Sequence, residues 1–274
     1  MPELPEAETI ARDLDRRVRG SIIAGIRVAR PDILARGNSA TTLSRKLRGH
    51  RIERVGRRGK NVIIEFDGAL RLVVNLGMTG RLIASDAPRS AEMRHVAALL
   101  RLEDGRAILY DDARRFGRLD LRDAGRWSQR DAELGVEPLS DSFTGEYLFR
   151  LTRGSISPIR NFLLDQKRVA GVGNIYANES LFRAGVRPTR RARQLRRAEA
   201  IRLADAIRTV LGEAIEARGT TIDDYRDGNG DAGAFQLRLR VYDRRGEPCV
   251  QCGTPVKRVV LTNRSAFYCP QCQR

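Results

Sequence analysis

Lysine, histidine and cysteine are scarce in this 274-residue chain. Its only lysines are Lys46, Lys60, Lys167 and Lys257, its only histidines are His50 and His95, and no cysteine precedes Cys249. No uncharged apolar run approaches the ~20 residues that a membrane-spanning helix needs, so no membrane partner is expected. The opening Met1-Pro2-Glu3-Leu4-Pro5-Glu6 is acidic and has no apolar segment, so it does not read as a signal peptide. Internal repeats and low-complexity tracts are absent as well. With 41% hydrophobic residues the chain can bury a core, which excludes wholesale disorder. The expected setting is the cytoplasm.

What the chain has in excess is positive charge. Its 51 Lys+Arg face 34 Asp+Glu, a formal charge of +17, and nearly all the cations are arginine. Arginine stays charged and grips phosphate through a planar fork. A preference for arginine codons accounts for arginine over lysine, but not for base over acid. The excess points to a polyanionic partner, most simply nucleic acid.

Patterning divides the chain into three. Residues 5–19 read as an amphipathic helix with Ala7, Ile10, Ala11, Leu14 and Val18 on one face. Pro5 suits a first helical position, and Glu6 and Glu8 suit the positive end of the helix dipole. Residues 20–122 read as strands, with candidates at 22–29, 61–67, 70–76, 95–102, 106–110 and 117–121. Together these predict a β-sandwich behind one N-terminal helix. After about Gly125 helical patterns take over, at 144–152, 158–167, 174–184 and 195–217. In the last, Ile201, Ala204, Ile207, Val210, Leu211 and Ile215 form an apolar stripe that reads as core. Residues 218–235 carry Gly219, Gly228, Gly230 and Gly233 and read as a mobile loop. A small β unit follows from 236. The expected domains are 1–124, 125–235 and 236–274, an α+β multidomain chain.

The cysteines form two knuckles, Cys249-x-x-Cys252 and Cys269-x-x-Cys272, separated by sixteen residues. Two such knuckles close a tetrahedron around zinc. Disulfides fit poorly without a sign of export, and redox pairs fit poorly without a thioredoxin-like βαβ context. Neither histidine is near in sequence, so an all-cysteine site is expected. Four thiolates leave no open coordination position, which makes one Zn²⁺ structural. Between the knuckles, Val259-Val260-Leu261 and Ala266-Phe267-Tyr268 read as a hairpin whose polar tip is Thr262-Asn263-Arg264-Ser265.

The N-terminus carries a chemical possibility. Removal of Met1 before a small residue would expose Pro2 as a secondary amine. An α-amine titrates near ~8, so part of it is a free nucleophile at neutral pH. Attack on a sugar C1′ would give an iminium, and the adjacent Glu3 could move protons. From chemistry alone, an incidental second residue is the favoured reading of Pro2, with the glutamates only decorating a helix start.

A resemblance changes that balance. Pro2-Glu3-Leu4-Pro5-Glu6-Ala7-Glu8-Thr9, Gly59-Lys60, Leu76-Gly77-Met78-Thr79-Gly80 and Asp112-Ala113-Arg114-Arg115-Phe116-Gly117 resemble segments of the bacterial formamidopyrimidine-DNA glycosylases. So do Leu163-Leu164-Asp165-Gln166, Ala170-Gly171-Val172-Gly173-Asn174-Ile175-Tyr176-Ala177 and the cysteine hairpin. Each motif is weak alone, but in order they span nearly the whole chain.

The resemblance implies a monomeric repair enzyme, nucleoid-associated in the cytoplasm. It would excise 8-oxoguanine and formamidopyrimidines from double-stranded DNA and cut the strand by β,δ-elimination. The implied fold is an N-terminal helix plus β-sandwich, a helix–two-turns–helix domain and a C-terminal four-cysteine zinc-finger hairpin. The helices at 174–184 and 195–217 would be the helix–two-turns–helix pair. Pro2 matches the Schiff-base nucleophile, Glu3 the proton donor to the opening sugar, and Glu6 a supporting carboxylate grouped with the DNA contacts. Lys60 matches a phosphate contact that donates a proton in β-elimination, and Arg264 a phosphate grip linked to δ-elimination. Met78, Arg114 and Phe116 match the side chains that fill the stack when a base leaves it. Asn174 is expected to cap a helix beside DNA, with His95 another DNA contact and 218–235 a lid over the extruded base.

Some positions depart from the family pattern, among them Ala7, where valine is commoner. Met93 stands where many members have histidine, Ser155 where some have a basic residue, and Asp223-Asp224 where some have lysine. Two rivals remain in view. An endonuclease VIII-like glycosylase for oxidised pyrimidines shares the chemistry, but Leu4 and Arg114-Arg115-Phe116 favour the purine branch. A non-catalytic zinc-finger protein that binds damage would fit the charge and zinc, but would not need Pro2 or Lys60.

Overall fold

The computed structural model describes residues 2–86, 94–221 and 225–274. Met93 and Asp223-Asp224 lie outside the described residues. The chain forms two compact units, residues 1–132 with 217–234, and residues 133–216 with 235–274.

The first unit opens with α1 (Leu4–Val18). Ala7, Ile10, Ala11, Leu14 and Val18 are all buried, as the periodicity predicts. Strand β1 (Ile23–Val28) follows, then a short helix α2 (Ala40–Leu47). The Ser39 hydroxyl caps α2 by accepting from the Thr42 amide at 3.1 Å. Leu43 and Leu47, four apart, bury its inner face. The remaining strands are β2 (Ile52–Arg58), β3 (Asn61–Phe66), β4 (Arg71–Asn75), β5 (Arg81–Ser85), β6 (Val96–Leu102), β7 (Ala107–Asp111) and β8 (Arg118–Arg122). A peripheral helix, α3 (Ala124–Ala132), ends this stretch without a buried residue.

Two antiparallel sheets result, ordered β1-β6-β7-β5 and β2-β3-β4-β8. One core joins them, with Ile23, Leu82, Leu100 and Ile108 from the first and Ile52, Val62, Ile64, Leu72 and Leu119 from the second. Helix α1 packs against β2, β3 and β5. The predicted sandwich behind a helix is therefore present. Residues 20–122 are not all strand, however, because α2 lies among them.

The second unit contains α4 (Gly145–Thr152), α5 (Ile159–Leu164), α6 (Asn174–Arg183) and α7 (Arg197–Glu216). Helix α7 packs on α4 and α6, and buries Leu203, Ala204, Ile207, Val210, Leu211 and Ala214. Ile201 of the expected stripe is 42% exposed. The start of α4 crosses there, so closely that a Cβ on Gly145 would lie 2.5 Å from the Ile201 Cα. The unit ends in the hairpin β9 (Lys257–Leu261) and β10 (Arg264–Tyr268). Its turn is Thr262-Asn263, both with positive φ, which suits a two-residue hairpin turn. Arg264 is thus the first residue of β10 rather than part of a four-residue tip, because the ladder closes at Leu261–Arg264.

The glycine-rich segment packs with the sandwich unit although it follows the helices in sequence. Residues 217–234 belong to the first unit, not to the helical region. Their described part is hydrogen-bonded at many points. Ala234 N donates to Ala217 O, Gly233 N to Thr221 Oγ1, Asp227 N to Asp231 O and the Tyr225 hydroxyl to Arg218 O.

Candidate active site and nucleic-acid interface

Pro2 and Glu3 stand at the start of α1, and both are buried. Glu3 is the N-cap of that helix. A capping box ties it down: the Glu3 carboxylate accepts from the Glu6 amide, and Glu3 N donates to Glu6 Oε2 at 2.7 Å. The other Glu6 oxygen accepts from Thr220 N at 2.8 Å. Glu6 is 1% exposed, and its two oxygens each accept from one of these amides. It therefore braces the start of α1. Sequence periodicity gave no sign of Thr220, because more than two hundred residues separate it from Glu6.

Lys60 follows Gly59 in the two-residue turn between β2 and β3. Gly59 takes φ +59 and Lys60 does not, so the glycine stands where the turn needs left-handed backbone. Lys60 is half-buried at this turn, and β2 and β3 are the strands on which α1 rests.

Met78, Arg114 and Phe116 come from two loops joined into one shelf. Asp112, 1% exposed, is the junction. Its Oδ1 accepts from the Thr79 hydroxyl at 2.6 Å, and its Oδ2 from the Tyr110 hydroxyl at 3.1 Å and Gly117 N at 2.8 Å. Thr79 Oγ1 in turn accepts from Arg114 N at 3.1 Å. Burial and the adjacent Asp112 charge push the Tyr110 phenol well above its ordinary pKa, so it remains a donor. The loops meet at glycines: a Cβ on Gly77 would lie 2.5 Å from Gly117 N, and one on Gly117 only 1.7 Å from the Tyr110 hydroxyl. On this rigid base Met78 is 40% and Phe116 53% exposed. The Arg114 guanidinium lies 4.8 Å from the Phe116 ring centre. Large apolar groups held out in water beside a cation suit contact with bases. His95 is exposed, with its amide on Asp111 Oδ1. His50, the other histidine, pairs with Asp67.

In the second unit, Asn174 is the first residue of α6, and Gly173 is the N-cap. The expected Asn174 cap is therefore absent. Its side chain turns to the hairpin and donates to Ser265 O at 3.1 Å. Buried Arg160 donates to the same carbonyl at 2.9 Å and to Leu261 O at 3.2 Å. Asn161 donates to Thr262 Oγ1 at 2.8 Å. The hairpin whose β10 begins with exposed Arg264 is thus held from α5 and α6. Burial, then the Arg264 charge, lowers the Arg160 pKa. Arg160, Asn161, Asp112 and Thr220 carry no role in the sequence reading, and local pattern does not mark them. Ser155 is buried, so it offers nothing to solvent.

The four cysteine sulfurs lie within 4.8 Å of one another, with Cys249–Cys272 at 3.9 Å and Cys252–Cys269 at 3.5 Å. A tetrahedron with zinc–sulfur bonds of ~2.3 Å has edges of about 3.8 Å. Thiolate donors at this spacing fit zinc, so Cys249, Cys252, Cys269 and Cys272 hold one structural Zn²⁺. Glu179 of α6 anchors the approach to this site by accepting from the amides of Arg240, Val241 and Tyr242 at 2.8–3.0 Å. Burial pushes its carboxyl up, opposed by those amides.

A braced helix start bearing Pro2 and Glu3, a shelf of exposed apolar and basic groups, and a four-cysteine hairpin bearing an exposed arginine suit a protein that acts on DNA. Residues 1–119 match the formamidopyrimidine-DNA glycosylase N-terminal domain, residues 134–226 its H2TH domain, and residues 246–274 the zinc finger found in FPG and IleRS. A formamidopyrimidine-DNA glycosylase of Dinoroseobacter shibae is 42% identical over 286 residues, covering all of both chains. The MutM (Fpg) protein of Thermus thermophilus superposes with a TM-score of 0.87 at 42% identity, over 99% of this chain and 98% of that one. Wild-type Lactococcus lactis Fpg bound to DNA containing N7-benzyl-Fapy-dG superposes with a TM-score of 0.90 at 32% identity, over all of both chains. The chain belongs to the formamidopyrimidine-DNA glycosylase family.

Proposed function

We propose that this protein is a bifunctional DNA glycosylase and abasic-site lyase that removes oxidised purines, with Pro2 as its nucleophile. The observation that carries this reading is the full-length likeness to Fpg proteins bound to damaged DNA, combined with Pro2-Glu3 at the head of a braced α1.

The chemistry follows from the groups present. The Pro2 nitrogen attacks C1′ of the damaged nucleotide, the glycosidic bond breaks, and the base leaves with its bonding electrons and gains a proton. Glu3 protonates the ring oxygen as the sugar opens, leaving an iminium between Pro2 and C1′. That cation withdraws electrons, so a C2′ proton is lost and the 3′ phosphate departs. Lys60 supplies the proton for this β-elimination. A second elimination expels the 5′ phosphate, with Arg264 gripping the phosphates. Met78, Arg114 and Phe116 occupy the place of the extruded base, a step that costs a few kcal/mol of lost stacking. Asn174 and His95 contact the strand, and Glu6 holds Glu3 in place. The zinc ion maintains the fold of the hairpin that bears Arg264. The protein acts as a monomer in the bacterial cytoplasm, near the nucleoid.

Duplexes with 8-oxoguanine opposite cytosine and with thymine glycol separate the purine and pyrimidine readings. At equal enzyme, the 8-oxoguanine strand is expected to be cut at least about tenfold faster. Preference for thymine glycol would overturn the purine assignment.

A further inference from the structure

Two carboxylates outside the site described above are buried against each other. Asp13 of α1 is 1% exposed and Asp227 is fully buried. One arginine bridges them: Arg218 Nη2 lies 2.6 Å from Asp13 Oδ2, and Arg218 Nε 2.7 Å from Asp227 Oδ2. Asp13 Oδ2 also accepts from Gly228 N at 3.2 Å, while Asp227 Oδ1 accepts from Asn229 N and Asp231 N at 2.9 Å each. The backbone of Gly228 sits so close that a Cβ there would lie 2.5 Å from Asp13 Cβ. Arg218 near the start of the segment 217–234 and Asp227-Gly228 within it therefore converge on one point of α1.

Arg218 holds this position at a conformational cost. Its φ is +61, in the left-handed region that disfavours a long side chain. Glycine would relieve that strain. The arginine is retained there by its two ion pairs; without it buried Asp227 would lose this cation, and Asp13 would keep only the pair its other oxygen makes with the exposed Arg16. The next residues are Gly219 and Thr220, and Thr220 N is the donor to Glu6. Tyr225, whose ring enters the core, donates to Arg218 O at 3.1 Å.

We propose that Asp13, Arg218 and Asp227 form a latch that fixes residues 217–221 and 225–234 on α1, and that Arg218 is thereby a positioning residue for recognition of the damaged base. This role rests on the glycosylase reading, in which that segment meets the extruded base. An abasic strand has no base to meet, so its cleavage depends on the latch far less.

Arg218→Gly tests this, because strain and latch predict opposite signs. The latch predicts a lower Tm for Arg218→Gly. It also predicts excision of 8-oxoguanine at least about tenfold slower, abasic-strand cleavage within about twofold of the parent, and intermediate excision by Arg218→Lys. A double-mutant cycle of Asp13→Asn and Arg218→Gln, read as Tm without DNA, should show coupling. An Arg218→Gly protein with higher Tm and parental excision would overturn the latch. Equal loss of excision and abasic cleavage would overturn its role in base recognition. A parent protein inactive on 8-oxoguanine and formamidopyrimidine duplexes would overturn the glycosylase reading and the role built on it, while absence of coupling in the Tm cycle would overturn the latch by itself.

Discussion

Glu3→Gln is expected to lower excision of 8-oxoguanine about a thousandfold, the scale of a lost general acid. The substitution is nearly isosteric. Its amide oxygen can still accept from the Glu6 amide, so the N-cap of α1 survives. Glu3 N still donates to Glu6 Oε2, and Glu6 still braces Thr220. What is lost is the proton that the opening sugar requires. The variant should therefore melt close to the parent and bind lesion DNA with near-parental affinity, yet turn over almost no substrate. Single-turnover excision beside a thermal melt checks both halves. A variant with a tenth or more of parental activity would remove Glu3 from the proton-donor role.

Withdrawal of zinc should have the second-largest effect. The hairpin region has a small core of Phe182, Val241, Val256 and Phe267 with Cys249 and Cys269. So few apolar groups do not hold thirty residues together, whereas a structural zinc site supplies ~10–16 kcal/mol of coupled binding and folding. Chelation, or Cys269→Ser, is expected to unfold the hairpin and free Thr262 and Ser265, which flank Arg264, from Arg160, Asn161 and Asn174. Tight DNA binding should be lost. The first unit has its own core, so most of its sheet signal should persist. Metal analysis with a DNA titration decides the matter, and full binding by verified zinc-free protein would contradict this account.

Much of this fold was legible because its signals are local. The α1 stripe, six of the eight sandwich strands and the two knuckles each repeat at a spacing fixed by backbone geometry or by the ligand tetrahedron. Strand β2 was missed because it reads as a charged turn: of Ile52–Arg58 only Ile52 and Val55 are buried. Helix α2 was missed because two leucines are a short helical signal within a region of strands. Strand β5 and helix α3 also went unseen, the latter because it buries nothing.

The site shows the same division. Pro2, Glu3, Lys60, the exposed shelf and the cysteines lie in motifs a few residues long. Their supports do not. Glu6 meets Thr220, Asp13 meets Arg218, and Arg160 meets Ser265 across separations of about a hundred residues or more. A buried ion pair or amide contact of that span leaves no periodic trace. Asn174 shows the limit of local rules: an asparagine after two glycines reads as a cap, yet Gly173 takes that position and frees the amide for the hairpin.

The central claim is that the amine of Pro2 does the chemistry, and borohydride trapping tests it most directly. Intact mass first establishes that Met1 is gone. The processed protein is then incubated with an 8-oxoguanine·cytosine duplex and reductant. The account predicts a covalent protein–DNA adduct, absent when Met1 is retained and in Pro2→Gly. Processed protein that binds the duplex and yields no adduct would contradict the account and favour a protein that binds damage without cutting it.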